Sequence, residues 1–268
     1  MLILLIALAI ALSVLMMGGW LFQKARRNGG WTDVVWSYVV GVCGVASALW
    51  PLGGEVSQRQ WLAAGLIGAW SLRLGTHLAF RVGRHKGEDG RYAHMRRNWG
   101  AAFDARMFGF LQIQAAAAVP LVWAVSVAAR RPGDLGTADL AAVLIFAASL
   151  IGEHLADAQL NAFKRHPTNR KPGKINDQGL WAWSRHPNYF FEWMTWLAWP
   201  VMAVALSGGW AWGWIALAAP AFMYLLLRYG SGVPPLEAQM AKSRGNAWKA
   251  YVARTSVFFP LPPKRSAP

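Results

Sequence analysis

One polar stretch of this sequence combines groups that suit an anionic ligand. Arg170, Lys171 and Lys174 flank Pro172 and Gly173, so a bend in the chain can present their cations to phosphate. Further along, helical spacing of i, i+3, i+4 and i+7 brings four polar groups to one face: Arg185, Asn188, Tyr189 and Glu192. A cation, an amide, a phenol and a carboxylate suit the phosphates, carboxamide and ribose hydroxyls of a nucleotide. We therefore predict a nucleotide-binding segment here.

A second polar set lies inside segments that are otherwise apolar. Helical spacing places four residues of the third apolar segment on one face: Arg73, His77, Arg81 and Arg84. The fifth segment carries Glu153, His154, Asp157 and Asn161, and the second begins with Asp33. Because polar side chains are costly in lipid, their convergence predicts one water-accessible pocket in a single leaflet. The alternative is that the arginines snorkel to headgroups and pair with the acids for structural reasons.

The elements that must position these residues are membrane helices. Hydrophobic residues make up 55% of the 268 residues, charged residues only 15%, and 17 residues are tryptophan. This exceeds the apolar content of ordinary soluble domains. Seven nearly uncharged runs approach or exceed the length of about 20 residues that crosses a bilayer: 2–22, 34–52, 61–80, 107–129, 140–160, 190–207 and 210–227. We predict an all-α integral membrane protein with seven transmembrane helices.

The basic residues predict how these helices are oriented. The segments after spans one, three, five and seven are rich in lysine and arginine, whereas the opposite segments hold only Arg59, Arg130 and Arg131. The positive-inside rule then places the N-terminus outside and the C-terminus in the cytoplasm. This topology explains the formal net charge of +15, and nucleic-acid binding, the other usual source of such a charge, is disfavoured.

The sixth span is predicted to begin on the cytoplasmic side, with Ser184 as its N-cap and Pro187 in its first turn. Its dipole and free N–H groups would point toward cytosolic anions. We expect no metal site, because His166 and His186 are twenty residues apart without a sulfur ligand. The single cysteine, Cys43, lies inside the second span, so no disulfide framework is expected.

The chain is predicted to form one transmembrane domain over residues 1–268. Residues 1–30 form a first helix and a basic loop, and residues 31–260 form the catalytic region. A Pro-rich tail at 261–268 is predicted to be irregular because proline removes backbone donors.

In combination, these motifs resemble the steroid 5α-reductase family, in particular its bacterial members. Arg170 to Gly173, Arg185-His186-Pro187-Asn188-Tyr189 and Glu192 resemble the C-terminal signature of that family. Three other parts of the chain resemble that family. Its third-helix motif is similar to Trp70-Ser71-Leu72-Arg73-Leu74-Gly75 with Arg81, and the loop that follows is similar to Glu88-Asp89-Gly90-Arg91-Tyr92. The family's C-terminal ending is similar to Ala250-Tyr251 through Thr255 and Pro260. The resemblance covers the chain from about Asp33 to Pro260. The Arg-His-Pro element alone also occurs in isoprenylcysteine-type membrane methyltransferases and in sterol C14 and C7 reductases.

The resemblance implies a seven-helix membrane reductase that uses NADPH. Family members reduce the carbon–carbon double bond of an enone, classically a 3-oxo-Δ4 steroid, by hydride transfer from the nicotinamide to the β carbon. An acidic and a phenolic side chain polarise the ketone. The lipid or steroid substrate would enter from the bilayer and the cofactor from the cytosol. We expect a monomer among the membrane lipids of a bacterial inner membrane, with no nucleic-acid partner.

The resemblance also implies roles for individual residues. The matched cofactor contacts are Arg73, Arg81, Arg84, Asp157, Arg170, Asn188, Glu192 and Tyr251, with Arg91, Tyr92, Lys171, Arg185 and Tyr189 as further members of the set. All of them are expected to close around one nucleotide.

Asp33 matches the family's acidic residue that contacts the substrate ketone. An apolar pocket can favour the acid form of a carboxyl group, which would let it donate a hydrogen bond. Trp70 stands where the family has its ketone-binding tyrosine, and an indole can donate a hydrogen bond but cannot act as a general acid. Tyr38 is the alternative phenol. Because Thr32-Asp33 replaces the family's Gln-Glu pair, the resemblance does not extend to steroid specificity.

Two other functional classes remain open. A membrane methyltransferase that uses S-adenosylmethionine would share the Arg-His-Pro helix start but needs no subsite for additional phosphates. The surplus of cations at Arg81, Arg84, Arg170 and Lys171 argues against it. The second alternative is a non-enzymatic protein that binds or transports lipid. The outer leaflet offers almost no polar residues, which suits one-sided cofactor access better than alternating access.

Overall fold

The described residues of the protein are mostly helical. The structure, a computed structural model, describes residues 1–51, 54–84, 87–170, 173–205 and 209–264. The α-helices are α1 Leu2–Arg26, α2 Trp31–Leu49, α3 Gln58–Arg84, α4 Gly90–Trp99, α5 Phe103–Ala129, α6 Thr137–Arg165, α7 Leu180–Trp183, α8 Pro187–Val204, α9 Ala218–Tyr229 and α10 Val233–Arg254. Short 3-10 segments lie at Gly100–Ala102, Pro167–Arg170 and Ala211–Leu217. The described residues form no β-strand, and a single isolated bridge pairs Ser184 with Ser256.

Five helical stretches are long and apolar enough to cross a membrane. They are Leu2–Arg26, Trp31–Leu49, Gly90–Ala129, Thr137–Arg165 and Ala211–Arg254. They overlap the first, second, fourth, fifth and seventh predicted spans, so the predicted membrane character is supported. The third and sixth predicted spans form α3 and α8, whose polar side chains, such as Arg73 and Glu192, lower their hydropathy. The total of seven spans and the orientation stay predictions.

The chain divides into two compact units. The first comprises Met1–Leu140 and Trp199–Ala219. The second comprises Ala141–Ala198 and the described residues from Pro220 onward. Each unit therefore draws on two separate stretches of sequence.

Small residues let α2 and α3 approach closely in the first unit. A Cβ atom added to Gly41 would lie 2.0 Å from the hydroxyl oxygen of Ser71. One added to Gly75 would lie 2.7 Å from the ring of Tyr38. Such contacts need glycine, as in membrane helix pairs where small residues permit close backbone approach. They fix α2, which carries Asp33, against α3, which carries Arg73 and Arg81.

A buried ion pair fastens the other end of α3. Arg59 and Asp139 have side chains only 2% and 3% exposed, and Arg59 Nε donates to Asp139 Oδ1 over 2.8 Å. The remaining guanidinium N–H groups donate to the second oxygen of Asp139 and to the carbonyls of Arg131, Gly133 and Asp134. All five donors of Arg59 are thus satisfied by protein, which is what a buried guanidinium requires.

Two predicted local structures are corrected. Residues 90–99 form helix α4, where only a loop was expected, because Asp89 caps it by accepting a hydrogen bond from the backbone N–H of Arg91 at 3.0 Å. The seventh predicted span is not one α-helix, since Ala211–Leu217 is a 3-10 segment. There the close approach of Gly213 to the carbonyl of Ala203 would leave a Cβ only 2.6 Å away.

The C-terminal segment holds the start of α8 within the second unit. The Arg185 N–H donates to the Ser256 carbonyl at 2.8 Å, and the Leu261 N–H donates to the Trp183 carbonyl at 3.0 Å. Ser184 is not the predicted N-cap of the sixth span, because α8 begins at Pro187. Its hydroxyl instead donates to the Phe258 carbonyl at 2.8 Å, so Ser184 anchors the C-terminal segment.

Candidate functional site

The first unit brings three predicted site residues into direct contact. Asp33, in the first turn of α2, accepts a hydrogen bond from Arg91 Nη2 at 2.7 Å through one oxygen. Its other oxygen accepts a hydrogen bond from the Tyr92 hydroxyl, also at 2.7 Å. Arg91 and Tyr92 are neighbours at the start of α4, so this unpredicted helix delivers both groups to Asp33. We call these three residues the Asp33 cluster.

Asp89 extends the Asp33 cluster toward α3. It accepts hydrogen bonds from Arg91 Nε at 3.1 Å and from the Arg91 backbone N–H, and Arg81 Nη2 lies 3.8 Å from its second oxygen. Burial acts to raise the pKa of Asp89, but the hydrogen bonds and positive charge of Arg91 outweigh burial and lower it. Asp89 thus acts as an anionic bridge between two predicted cofactor residues, Arg81 and Arg91.

Glu88 organises the loop before α4, a role that was not predicted from the sequence. One oxygen accepts the backbone N–H of Gly29 at 2.7 Å, and Arg96 donates to both oxygens at 2.8 and 2.9 Å. Burial acts to raise the pKa of Glu88, yet the hydrogen bonds from Arg96 and Gly29 lower it overall. The bidentate geometry of Arg96 holds the loop against the end of α1.

Two arginines of the first unit retain hydrogen-bonding capacity. Arg91 is 39% exposed, and its Nη1 has no hydrogen-bond partner among the described residues. Arg84 is exposed at the end of α3, where its guanidinium lies 5.3 Å from the centre of the Phe80 ring. Arg73, earlier on α3, is half-buried. Exposed guanidinium groups of this kind suit phosphate or an oxyanion.

The two other predicted catalytic residues lie apart from these contacts. The Tyr38 hydroxyl shares a hydrogen bond with Thr76 over 3.1 Å. Trp70 has no exposed surface and meets Trp36 edge to face, with ring centres 6.3 Å apart. The Tyr38 hydroxyl bonds to Thr76, whereas the Tyr92 hydroxyl bonds to Asp33, so Tyr92 is the phenol that the fold places on Asp33.

Arg185 uses four of its five N–H donors in contacts within the second unit. Its Nε donates to Glu237 Oε1 at 2.8 Å, and its Nη1 donates to the carbonyls of Val252 and Thr255 at 3.2 and 3.0 Å. The side chain is 10% exposed. These contacts tie the start of α8 to α10, so the geometry gives this predicted cofactor residue a structural role.

Glu237 is the acidic partner of Arg185, and it was not among the predicted site residues. It accepts hydrogen bonds from Arg185 and lies 3.0 Å from His186 Nε2. An acidic residue among the cations that follow the last span was the available signal. Burial lowers the pKa of His186, and Glu237 offsets this only in part, so the neutral imidazole is favoured. The imidazole stacks on Tyr189, with ring centres 5.5 Å apart.

Other predicted cofactor residues of the second unit also meet one another. Asn188 Nδ2 lies 3.4 Å from Asp157 Oδ1, and both side chains are half-buried. Glu192, one turn further along α8, is 7% exposed and accepts a hydrogen bond from the Trp196 indole at 3.1 Å. The spacing predicted from the sequence therefore does place Asn188 and Glu192 along one helix, next to an acid of α6.

Tyr251 is buried, and its hydroxyl donates to the carbonyl of Trp181 at 2.5 Å. This hydrogen bond from the Tyr251 hydroxyl links α10 to α7. Arg170 ends a 3-10 segment, but its side chain and the whole of Lys171 lie outside the described residues.

The geometry separates residues that hold the fold from residues that can meet a ligand. Arg185 and Tyr251 belong to the first group because their polar atoms bond to protein. Arg84 and Arg91 belong to the second because they are exposed and retain free N–H donors. The Asp33 carboxylate orients Arg91 and Tyr92, and the free N–H donors of Arg91 can polarise a carbonyl and stabilise developing negative charge.

Comparison with known proteins places the chain in a family. No curated protein matches it. A family described as "Protein of unknown function (DUF1295)" matches residues 19–255. That range contains every predicted site residue from Asp33 to Tyr251. This family is associated with steroid 5α-reductase-like membrane proteins. The chain therefore belongs to the DUF1295 family.

Proposed function

We propose that this protein is a membrane reductase that uses NADPH to reduce the carbon–carbon double bond of an enone lipid, such as a 3-oxo-Δ4 steroid. Membership of the DUF1295 family and the apolar helices support the general class. The observation that carries the proposal is the Asp33 cluster. There a carboxylate, a guanidinium and a phenol meet at 2.7 Å, at one end of a membrane helix.

The residues of the first unit fit the anionic end of NADPH. Phosphate groups require cations with free N–H donors, and Arg81 and Arg84 are both exposed. The second unit, described by itself, brings an amide and a carboxylate together at Asn188 and Asp157, and such groups suit carboxamides and hydroxyls. Arg185 and Tyr251 are omitted from the proposed contacts because both side chains are largely buried and bond mainly to protein. When bound, NADPH supplies the hydride.

The roles of the Asp33 cluster follow from which atoms donate and which accept. Both oxygens of Asp33 accept hydrogen bonds, so Asp33 orients Arg91 and Tyr92. The Nη1 group of Arg91 retains two N–H donors for the ketone oxygen of the substrate. When the β carbon gains a hydride, the displaced electron pair moves to that oxygen, and Arg91 stabilises the enolate. The α carbon then takes a proton from water or from a hydroxyl donor such as Tyr92.

Isotope transfer tests this reaction directly. The purified full-length protein in lipid nanodiscs would be incubated with NADPH deuterated at nicotinamide C4 on either face and with a panel of enone lipids. We expect one deuterium in the saturated product, detected by mass spectrometry, from one of the two labelled faces. Methyl transfer from S-adenosylmethionine to a lipid, with no deuterium in any product, would overturn the reductase assignment.

A substitution at Asp33 tests the assignment of roles. We expect Asp33→Asn to lower kcat by about 100-fold or more, because general acid–base groups and their orienting partners contribute about 10² to 10⁴. Its affinity for NADPH should change by less than about twofold, since Asp33 is not a phosphate ligand. Asp177→Asn is the matched control, because Asp177 forms an exposed ion pair with Arg254 in the second unit. Equal loss of NADPH binding and of turnover in Asp33→Asn would remove Asp33 from the proposed role.

A further inference from the structure

A charged cavity of about 700 Å³ lies in the first unit where α1 ends. Its polar lining consists of Gln23, Lys24, Arg27, Glu88, Arg96 and Asp104. None of these six residues was predicted to belong to a functional site. Glu88 alone lies in a motif that resembles the steroid 5α-reductase family. None of the lining residues belongs to the Asp33 cluster.

The charges of this cavity leave one cation without a partner. Lys24 Nζ lies 2.9 Å from Asp104 Oδ2, and Arg96 is bound in a bidentate manner by Glu88. Arg27 is exposed, and its guanidinium has no hydrogen-bond or ion-pair partner among the residues that the structure describes. Three cations face two carboxylates, so one monoanion would neutralise the cavity.

The wall of the cavity also contains an unsatisfied amide. Gln23 has no exposed surface, and neither its side-chain oxygen nor its nitrogen has a hydrogen-bond partner within the described chain. A buried amide without partners costs free energy. Because Gln23 lines the cavity, a polar occupant of the cavity can supply that partner, so the amide indicates a polar occupant.

The surroundings indicate that this occupant belongs to a lipid. The last turns of α1 expose Leu21 and Phe22, which are 55% and 38% exposed, directly before the charged residues. Arg26 lies 5.5 Å from the Phe22 ring centre and 5.6 Å from that of Trp31, and Lys24 lies 5.2 Å from that of Trp20. Aromatic residues beside cations at the end of an apolar span are typical of the membrane–water interface.

We infer that this cavity binds the phosphodiester headgroup of an anionic phospholipid. The phosphate monoanion pairs with Arg27, and the acyl chains lie along the exposed apolar face of α1 at Leu21. The flanking ion pairs Lys24–Asp104 and Arg96–Glu88 shape the cavity and can meet headgroup hydroxyls. This site is independent of the proposed reductase activity.

Native mass spectrometry can test this site in the detergent-purified full-length protein titrated with phosphatidylglycerol. We expect Arg27→Gln to weaken binding of the first lipid by about tenfold, because it removes a charge-assisted pair with phosphate. Arg26→Gln is the matched control, since Arg26 is adjacent and exposed but packs on the Phe22 and Trp31 rings instead of lining the cavity. It should change the affinity by less than about twofold.

Two outcomes would overturn the inference. Equal weakening by Arg26→Gln and Arg27→Gln would mean that lipid responds only to the general positive charge of this surface. Displacement of the first lipid by millimolar inorganic phosphate would mean that the cavity takes a free anion and makes no use of acyl chains.

Discussion

Two arginine–aspartate pairs of the first unit differ in what they leave available. Arg59 is 2% exposed, and all five of its N–H donors are bonded to Asp139 and to backbone carbonyls. Arg91 is 39% exposed, and its Nη1 is unpaired among the described residues although Asp33 and Asp89 bind its other nitrogens. The first pair is complete, whereas the second can accept one more partner.

Structural and ligand-binding arginines of a membrane protein can be distinguished by the N–H donors that they leave unbonded. Both arginines are costly to place near lipid and both have acidic partners. A guanidinium with every N–H donor bonded to protein has no donor left for a ligand. Removing its carboxylate partner leaves a buried, unpaired positive charge. A guanidinium with free donors and solvent access keeps that capacity. By this criterion, Arg91 is a candidate site residue, and Arg59 holds the fold.

The largest effect is expected at the complete pair. Asp139→Asn leaves Arg59 and Arg131 without their counter-ion in a buried position, so it should lower the free energy of unfolding by about 3–5 kcal/mol. Denaturant titration in mixed micelles measures this change. Asp104→Asn, which breaks the exposed Lys24–Asp104 pair, should cost less than about 1 kcal/mol. Similar losses in both variants would contradict the distinction between buried and exposed pairs.

An intermediate effect is expected at Tyr92. Tyr92→Phe removes the hydrogen bond from the hydroxyl to the Asp33 carboxylate, and hydrogen bonds to charged groups contribute about 1.5–3 kcal/mol. The same titration should show a loss of that size. Tyr38→Phe is the control, because its exposed hydrogen bond to Thr76 should contribute less than about 0.5 kcal/mol. If Tyr38→Phe lowers the free energy of unfolding as much as Tyr92→Phe does, the hydrogen bond from Tyr92 to Asp33 makes no distinct contribution to stability.

The smallest effect is a change in pH dependence at Glu88. Because the pKa of Glu88 is lowered in the folded protein, its stabilising contribution is present above the pKa of the unfolded chain. It is lost as the pH falls through the lowered folded pKa. The unfolding midpoint should therefore drop less steeply under acid conditions in Glu88→Gln than in the wild-type protein. Parallel acid profiles would show that Arg96 and Gly29 do not stabilise the Glu88 carboxylate.

Much of the helical framework could be predicted because apolar runs of bilayer length signal membrane helices. The spacing of Asn188 and Glu192 was also informative, since a helix with 3.6 residues per turn brings them to one side. Helix α4 was missed because its residues are polar, as in Arg91 and Arg96, and carry no apolar periodicity. Its signal was instead Asp89, a residue type that favours the N-cap position.

The roles of Arg185 and Tyr251 could not be predicted, because they depend on contacts between distant parts of the sequence. Arg185 meets Glu237, which lies 52 residues further along the chain. The Tyr251 hydroxyl meets Trp181, 70 residues away. A motif gives the type of side chain, but it does not show which acceptors elsewhere in the chain will bond to the donors of that side chain. The same holds for Asp33, whose partners arrive on the unpredicted helix α4.

Equilibrium binding of nucleotides to the purified protein tests the central proposal most directly. Isothermal titration at constant ionic strength would compare NADPH, NADH and S-adenosylmethionine with the wild-type chain. We predict that NADPH binds about tenfold or more tightly than NADH, because exposed arginines such as Arg84 can pair with the additional phosphate. We also predict no measurable binding of S-adenosylmethionine. Tighter binding of S-adenosylmethionine than of NADPH would contradict the proposed function.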